Sequence, residues 1–436
     1  MPTETGKPAR SGPDIGFAGR YGVLHRLLVR LGFWTAPLYR RLLVRTLVIA
    51  VTGSQGKSAA VRMTGQMLTD RSSRLVVSHH NPPTMVAGAL RRVRPWHSFY
   101  VQELSGDAPG KLAQVLPMVR PKIGVVTNVS KDHYKNFRDL DVTAEEKGRL
   151  VEVLPADGVA VLNADDPRVY AMAGRTRARV LTYGLAEDAD VLGSAVRAAW
   201  PGPMSLDVTY RGETRRIETR LLGEHWAMSV LAATAAAIAA GATLDECARR
   251  APALAPTPGR MVPIETSTGA VIVNDCWKSP LTTIPTVIRF METARADRKI
   301  LVFGTISDYA GAANAKYRRV ARDAMEVADE VYFVGSHSSA VRKLEVGDGK
   351  GRVFGFDSVK GLADHFEGRL GSGDLVLLKA SVTDHLERIA WQNTIGVACW
   401  RERCGKRIMC EECDLRLVPS QPSHANKGRV DAENIA

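Results

Sequence analysis

Apolar and polar positions divide the chain into two successive α/β sets. Between residue 46 and about 180, short apolar runs (TLVIAVT, RLVVSH, SFYVQEL, KIGVVTNV and GVAVLN) alternate with helical stretches. Such alternation predicts a parallel sheet with ligands at the strand C-termini. Residues 188–222 predict β hairpins about Arg211-Gly212, and the alanine-rich run 226–240 predicts a buried helix. The proline-rich stretch APALAPTPGR (251–260) reads as a linker. A second set follows: AVIVND, KILVFG, EVYFVG, RVFGF and DLVLLKA. The expected division is an N-terminal extension (1–45), a central domain (46–257), a smaller Rossmann-like α/β C-terminal domain (258–394) and a cysteine-rich segment with a polar tail (395–436). The extension carries Val23, Leu24, Leu27, Leu28 and Leu31 at helical spacing, with Arg26 and Arg30 between them. A basic amphipathic helix of this kind lies on a membrane surface or, more commonly, packs on its own protein, which is the expectation here. Both termini, MPTETGKPARSGPDIG and SQPSHANKGRVDAENIA, are too polar to build a core and are expected to be disordered.

Composition narrows the class. The 436 residues can form two or three domains, and a hydrophobic content of 45% suits a globular protein. No apolar run reaches membrane-spanning length and no signal core is present, so a cytoplasmic enzyme is expected. The net charge of +13 suits nucleic acid or a cradle for phosphates and carboxylates. No basic stretch is interleaved with aromatics, which argues against nucleic acid as a partner.

The candidate chemistry centres on Gly53-Ser54-Gln55-Gly56-Lys57-Ser58, directly after the apolar run Leu47 to Val51. Strand, glycine turn and helix with Lys-Ser at its mouth make a phosphate-binding loop. Glycines admit phosphate oxygens to backbone N–H groups, the helix N-terminus favours an anion, and Lys57 adds a full charge. Ser58 offers a hydroxyl for Mg²⁺. Val51 stands where the usual GxxxxGK pattern has its first glycine. Glu103 ends SFYVQEL, and Asp132-His133 follow GVVTNVSK, so both fall on the edge that carries the loop. A carboxylate and an imidazole there suit Mg²⁺ and phosphoryl oxygens. Lys147, in AEEKGRL, reads by itself as a solvated helix position.

The order VTGSQGKS, Glu103, TNVSKDH, AEEK, NADDP (163–167), GEHW (223–226), PGR (258–260) and NDCWKSP (274–280) resembles the Mur ligases over roughly 46–390. The segments GEHWAM, LVFGTISDYAG and GDLVLLKAS look most like the branch that adds D-alanyl-D-alanine to the muramoyl tripeptide. The resemblance implies an ATP- and Mg²⁺-dependent ligase that joins a small-molecule or peptide acid, activated as an acyl phosphate, to an amino acid or dipeptide amine. It implies that Lys57 and the loop amides grip ATP, and that Ser58 and Glu103 hold one Mg²⁺. His133 would hold a second with Lys147, carbamylated, as its partner. Asn163 and Asp166 would lie near the nucleotide and His225 beside the adenine site. Arg260, Asp275 and Lys278 would reach ribose and phosphates from the C-terminal domain.

Departures mark the substrate end as rebuilt. Trp226 and Ser229 replace two asparagines of the family's HNxxN pattern, Cys276-Trp277 interrupts its DYAHTP-like motif, and Ala380 replaces the glycine of KGS. Family ligases of peptidoglycan carry an N-terminal domain for the UDP end of their substrate, whereas about 45 residues precede the loop strand here. From this we expect poor use of UDP-muramoyl peptide and a smaller or differently tethered acid. The competing readings are a true D-alanyl-D-alanine-adding ligase, a P-loop kinase or NTPase that turns over ATP without an amine, and a zinc- and nucleic-acid-binding regulator.

Four of six cysteines, Cys399, Cys404, Cys410 and Cys413, crowd into one C-x4-C-x5-C-x2-C segment outside the resemblance. That spacing allows one structural Zn²⁺ on four thiolates; reduced, unligated thiols are the other reading.

Overall fold

The computed structural model describes residues 23–69, 74–79, 81–130, 139–345, 351–402 and 404–418. Both termini expected to be disordered, 1–16 and 420–436, lie outside the described residues, and so does His133.

The first set builds one nine-stranded sheet. Its strands are β1 (Leu47–Thr52), β2 (Leu75–Ser78), β3 (Phe99–Glu103), β4 (Ile123–Val126), β5 (Val159–Asn163), β6 (Arg179–Gly184), β7 (Val191–Arg197), β8 (Ser205–Tyr210) and β9 (Glu213–Glu218). The order is β2-β3-β1-β4-β5-β6-β7-β8-β9, parallel through β7 and antiparallel from β7 to β9. The hairpin turns at Arg211 (φ 51°) and Gly212 (φ 81°), two left-handed residues whose twist matches the flanking strands. The strand from Val191 to Arg197 joins the same sheet as the hairpin instead of forming a separate one.

The sheet is covered on both faces because its central strands are apolar on both. Ile49 and Val51 of β1 join one core with Met63 and Met67 of α2 (Lys57–Leu68) and Leu231 of the alanine-rich helix Ala227–Ala239. Val48 and Ala50 face the other core with Leu90, Leu116 and Leu150, from three helices on the opposite side. Alanines let the Ala227–Ala239 helix lie close to α2 and the sheet, and its residues are buried almost throughout.

The N-terminal helix, Val23–Leu42, packs on its own protein over its described side chains. Ala36 and Leu43 are buried, Tyr39 donates to the carbonyl of Val93 at 2.5 Å, and Arg40 Nε donates to that of Val119 at 2.9 Å. Its other face leaves Trp34, Leu38 and Leu42 exposed. Among the described residues no helix is long and apolar enough to cross a membrane.

The second set forms a six-stranded sheet from β10 (Val262–Glu265), β11 (Val271–Asp275), β12 (Arg298–Phe303), β13 (Glu330–Val334), β14 (Val353–Phe356) and β15 (Asp374–Lys379). Its order is β10-β11-β15-β12-β13-β14, with only β10 antiparallel. Alternate residues again feed two cores: Leu301, Phe303 and Leu377 on one face, Ile300, Val302 and Leu378 on the other. The C-terminal ends of β11, β15 and β12 therefore deliver Asp275, Lys379 and the Gly304 loop to one edge. The two sheets touch at that level. Gln55 Nε2 donates to Thr282 Oγ1 at 3.1 Å, Arg289 Nε pairs with Glu224 at 3.3 Å, and Leu222 enters the second set's core.

Candidate active site

The glycine loop is shaped by its neighbour strand. Gly53 has φ 138°, and a Cβ there would lie 2.0 Å from Thr127 Oγ1 and 3.0 Å from the backbone N of Asn128. Only glycine lets the loop press against the end of β4. Thr127 Oγ1 donates to the Gln55 carbonyl at 2.6 Å, and the Gln55 N–H reaches Asn128 Oδ1 at 2.8 Å. Ser54 N donates to the Asn128 carbonyl at 2.8 Å, and Ser54 Oγ exchanges hydrogen bonds with the Ser130 backbone. Gly56, left-handed at φ 76°, then caps α2, and Lys57 and Ser58 fall in its first turn. Lys57 Nζ donates to the carbonyls of Gly53 and Ser54, both at 2.7 Å, so its charge is held at the mouth of the loop.

Glu103, 3% exposed at the end of β3, is the buried carboxylate beside this mouth. His79 Nδ1 lies 3.3 Å from Oε2, and Asn81 Nδ2 donates to Oε1 at 3.2 Å. Burial pushes the Glu103 carboxyl up, but hydrogen bonds from His79 and Ser58, the Lys57 charge and the Asn81 bond outweigh it, so it ionises below the usual range. An ionised, buried carboxylate next to a serine hydroxyl is an oxygen donor set suited to Mg²⁺.

Lys147, buried on the helix Leu140–Glu152, donates through Nζ to the carbonyls of Ser105 (2.5 Å) and Gly106 (2.6 Å), in the loop after Glu103. It is no solvated helix position. Its neighbour Glu146 fixes the same region by accepting the N–H groups of Gly110 and Leu112, both at 2.7 Å. Asn163 and Asp166 sit one layer below the loop. Asn163 Nδ2 donates to the Thr127 carbonyl at 2.8 Å, and Asp166 Oδ2 accepts the Val129 N–H at 2.7 Å while its other oxygen caps a short helix. These two residues hold the β4 loop that in turn holds Gly53.

The second sheet supplies the facing charges. Lys379, 4% exposed, donates to Asp275 Oδ2 at 2.7 Å and to the carbonyl of Lys278 at 2.9 Å. Lys278 itself is exposed and contributes that carbonyl. Arg260 lies in the field of both sheets: burial lowers its pKa, and Asp275 and Glu103 each raise it. Burial first, and then the like charge of Arg260, lowers the pKa of Arg62 of α2, so each guanidinium lies in the field of the other. Such a pair is costly without an anion between or beside its members. His225 is half-buried against Trp226, with ring centroids 4.8 Å apart. Burial lowers its imidazole to about 4, against a raising influence from Asp275 and a further lowering one from Lys379.

The structure thus brings the Gly53 to Ser58 loop and Glu103 together on the first sheet and Asp275 with Lys379 on the second, which meet at Gln55 and Thr282. Arg260 and His225 lie in the field of Asp275, and Lys147 is bonded to the loop after Glu103. The four tail cysteines lie elsewhere. Sequence reasoning missed Arg62, which reads as a solvated helix position, and His79, Asn81, Thr127 and Asn128. The polar runs SHHNPP and TNVSKDH after two apolar strands were the available signal.

Two family models match this chain: the Mur ligase middle domain over residues 51–237, and the Mur ligase, glutamate ligase domain over residues 259–382. The chain belongs to the Mur ligase family. Members of that family are ATP-dependent peptide ligases, and this Mur ligase is accordingly an ATP-dependent amide-forming enzyme. It is 28% identical over 380 residues to UDP-N-acetylmuramoyl-tripeptide–D-alanyl-D-alanine ligase of Mycobacterium tuberculosis, covering 79% of this chain and 72% of that protein. The Escherichia coli enzyme of the same name is 25% identical over 319 residues, covering 72% of this chain and 70% of that one. The fold is that of MurF from Acinetobacter baumannii (TM-score 0.75, 19% identity, 83% and 79% of the two chains). It is equally that of MurF from Thermotoga maritima, solved in complex with ADP (TM-score 0.70, 20% identity, 83% and 82%).

The depressed imidazole gives a signed pH dependence. Because His225 is neutral in the fold down to about 4, the unfolded chain binds the extra proton first. Stability falls as pH drops from the ordinary histidine range toward 4, and His225→Asn removes part of that slope. Urea unfolding at several pH values measures it; an unchanged slope in the variant contradicts the burial argument.

Proposed function

We propose that this Mur ligase adds D-alanyl-D-alanine to a muramoyl-tripeptide-type acid, with ADP and phosphate as the other products. The observation that carries the ligase chemistry is the glycine loop, where Lys57 Nζ is held at 2.7 Å from the Gly53 and Ser54 carbonyls beside the buried carboxylate of Glu103. The substrate rests on the names of the relatives, each matched over more than two thirds of its length. The expectation of poor use of UDP-muramoyl peptide draws no support from them, and the reading that they favour is the other one.

In this reading the loop amides and Lys57 hold the ATP phosphates, and Ser58 and Glu103 are the ligands of Mg²⁺, which supplies charge neutralisation when bound. A carboxylate does not condense with an amine in water, so its oxygen must take the γ-phosphoryl group. The amine then attacks the acyl carbon, and phosphate leaves. Arg260 and Arg62 offset the negative charge that this transfer gathers, and Lys379 fixes Asp275 by a 2.7 Å ion pair. Asn163 and Asp166 act through the β4 loop, as positioning residues. His225, neutral at physiological pH, offers a flat ring beside Trp226 for the adenine. Closure of the two sheets about the gap keeps water from the acyl phosphate. Zinc has no part in this chemistry.

Lys147 and His133 form the second metal site in this proposal, with Lys147 carbamylated. Carbamylation turns a donor to the Ser105 and Gly106 carbonyls into an anion. Lys147→Ala then loses activity that formate or acetate partly restores; full activity of the variant removes the role.

The pure chain, given ATP, Mg²⁺, UDP-muramoyl tripeptide and D-alanyl-D-alanine, is expected to release phosphate and form the pentapeptide. Lys57→Ala lowers that rate on the order of a thousandfold while keeping the folded spectrum, since the lysine stabilises phosphoryl charge and little core. Phosphate release with other acids or amines but not these would refute the substrate assignment. Near-normal turnover by a folded Lys57→Ala chain would refute the loop.

A further inference from the structure

The segment from Gly396 to Val418 holds no strand and no helix longer than the three-residue turn Cys410–Glu412 among its described residues, yet Cys399, Met409 and Cys410 are buried. Chain of that kind rarely stays folded on its own contacts and commonly depends on a disulfide or a metal. All four cysteines of the segment, Cys399, Cys404, Cys410 and Cys413, line one small cavity of about 10 Å³, together with His385, Arg388, Lys406 and Arg416. That volume takes one water-sized body.

The charge around the cavity is only partly paired: Lys406 Nζ donates to Asp414 Oδ1 at 2.9 Å, whereas Arg388 has thiol and carbonyl partners alone among the described residues. Arg388 is 2% exposed. Its Nε donates to Cys410 Sγ at 3.3 Å and its Nη1 to the Arg401 carbonyl at 2.9 Å. Among the described residues it makes no ion pair with a carboxylate. Lys406 Nζ reaches Cys413 Sγ at 3.6 Å, and His385 Nδ1 lies 3.4 Å from Cys410 Sγ. A buried guanidinium against a neutral thiol leaves its charge unanswered. Four thiolates around a divalent cation carry two net negative charges, and N–H groups aimed at the sulfurs are the outer contacts that such a centre uses.

We propose that Cys399, Cys404, Cys410 and Cys413 bind one Zn²⁺ through their thiolates, with Arg388, Lys406 and His385 as hydrogen-bond donors to the sulfurs. Soft sulfur ligands in a closed pocket select zinc, and a site with no open position is structural. Each thiol gives up its proton to solvent as its sulfur takes the metal. At the edge of the pocket the donor atoms of His385, Glu387 and Cys410 lie within 4.8 Å of one another, Cys410 being the one cysteine of that group, and the Glu387 carboxylate accepts the Cys410 N–H at 3.0 Å. The ion draws the other three sulfurs in to about 2.3 Å. The knot also reaches the linker between the sheets: a Cβ on Gly259 would lie 3.0 Å from Met409 Sδ. A metal here thus fastens the tail against the linker that carries Arg260.

Metal analysis of the full chain, prepared under reducing conditions without chelator, is expected to find about one zinc per chain. Cys410→Ser and Cys413→Ser should each lose it. Because a serine variant can fail to fold, the unaltered chain decides the matter by itself. Stripped and refilled with Co²⁺, it should show the intense near-ultraviolet charge-transfer band of several thiolates and the visible bands of a tetrahedral ion. No retained zinc or cobalt after such refilling would overturn the proposal. So would a weak band of a single thiolate, which assigns the metal to Cys410, His385 and Glu387, or a Cys410–Cys413 disulfide in freshly reduced protein. Ligase turnover is not among the readouts, so the fate of this proposal and that of the substrate assignment are separate.

Discussion

Everything in this molecule that bears on catalysis depends on holding like and unlike charges in a half-dry gap between two sheet edges. Glu103 of the first sheet and Asp275 of the second both favour the charged form of Arg260 against its burial, and Lys379 is buried at 2.7 Å from Asp275. Ions removed from water cost several kcal/mol each unless they are paired. Arg62 and Arg260, which repel, are the part of this set left for an anion to settle. The protein's net charge of +13 suits such a cradle for phosphates.

The same logic runs one layer down. The glycine at 53 is needed because Thr127 and Asn128 press on the loop, and they can press because Asn163 and Asp166 hold the strand end from beneath. The NADDP segment therefore acts on phosphate through the packing of its neighbours. The order β2-β3-β1-β4 places the loop strand between β3 and β4, which is why Glu103 and Thr127 flank it. A ligand at that edge meets groups from three strands at once.

Much of this was legible in the sequence. The apolar runs named the strands, and Arg211-Gly212 gave the hairpin. The loop and Glu103 followed from strand ends, and the second sheet's Asp275 from the family resemblance. What the sequence hid were residues whose roles come from tertiary neighbours. Lys147 carries a helical pattern that suits a solvated face, and it is buried only because the loop after Glu103 folds over it. Arg62 is polar on an amphipathic helix, and nothing local says that a second arginine, 198 positions on, will face it. Lys278 shows the converse: a lysine inside a motif that lends its carbonyl while its side chain is exposed.

The central claim is that the gap between the sheets activates a carboxylate by phosphoryl transfer before the amine attacks. Oxygen labelling tests it directly. With ¹⁸O in the terminal carboxylate of UDP-muramoyl tripeptide, the account predicts that one labelled oxygen appears in inorganic phosphate for each amide formed. Product amide formed with unlabelled phosphate, the label leaving in water or in AMP, would contradict it.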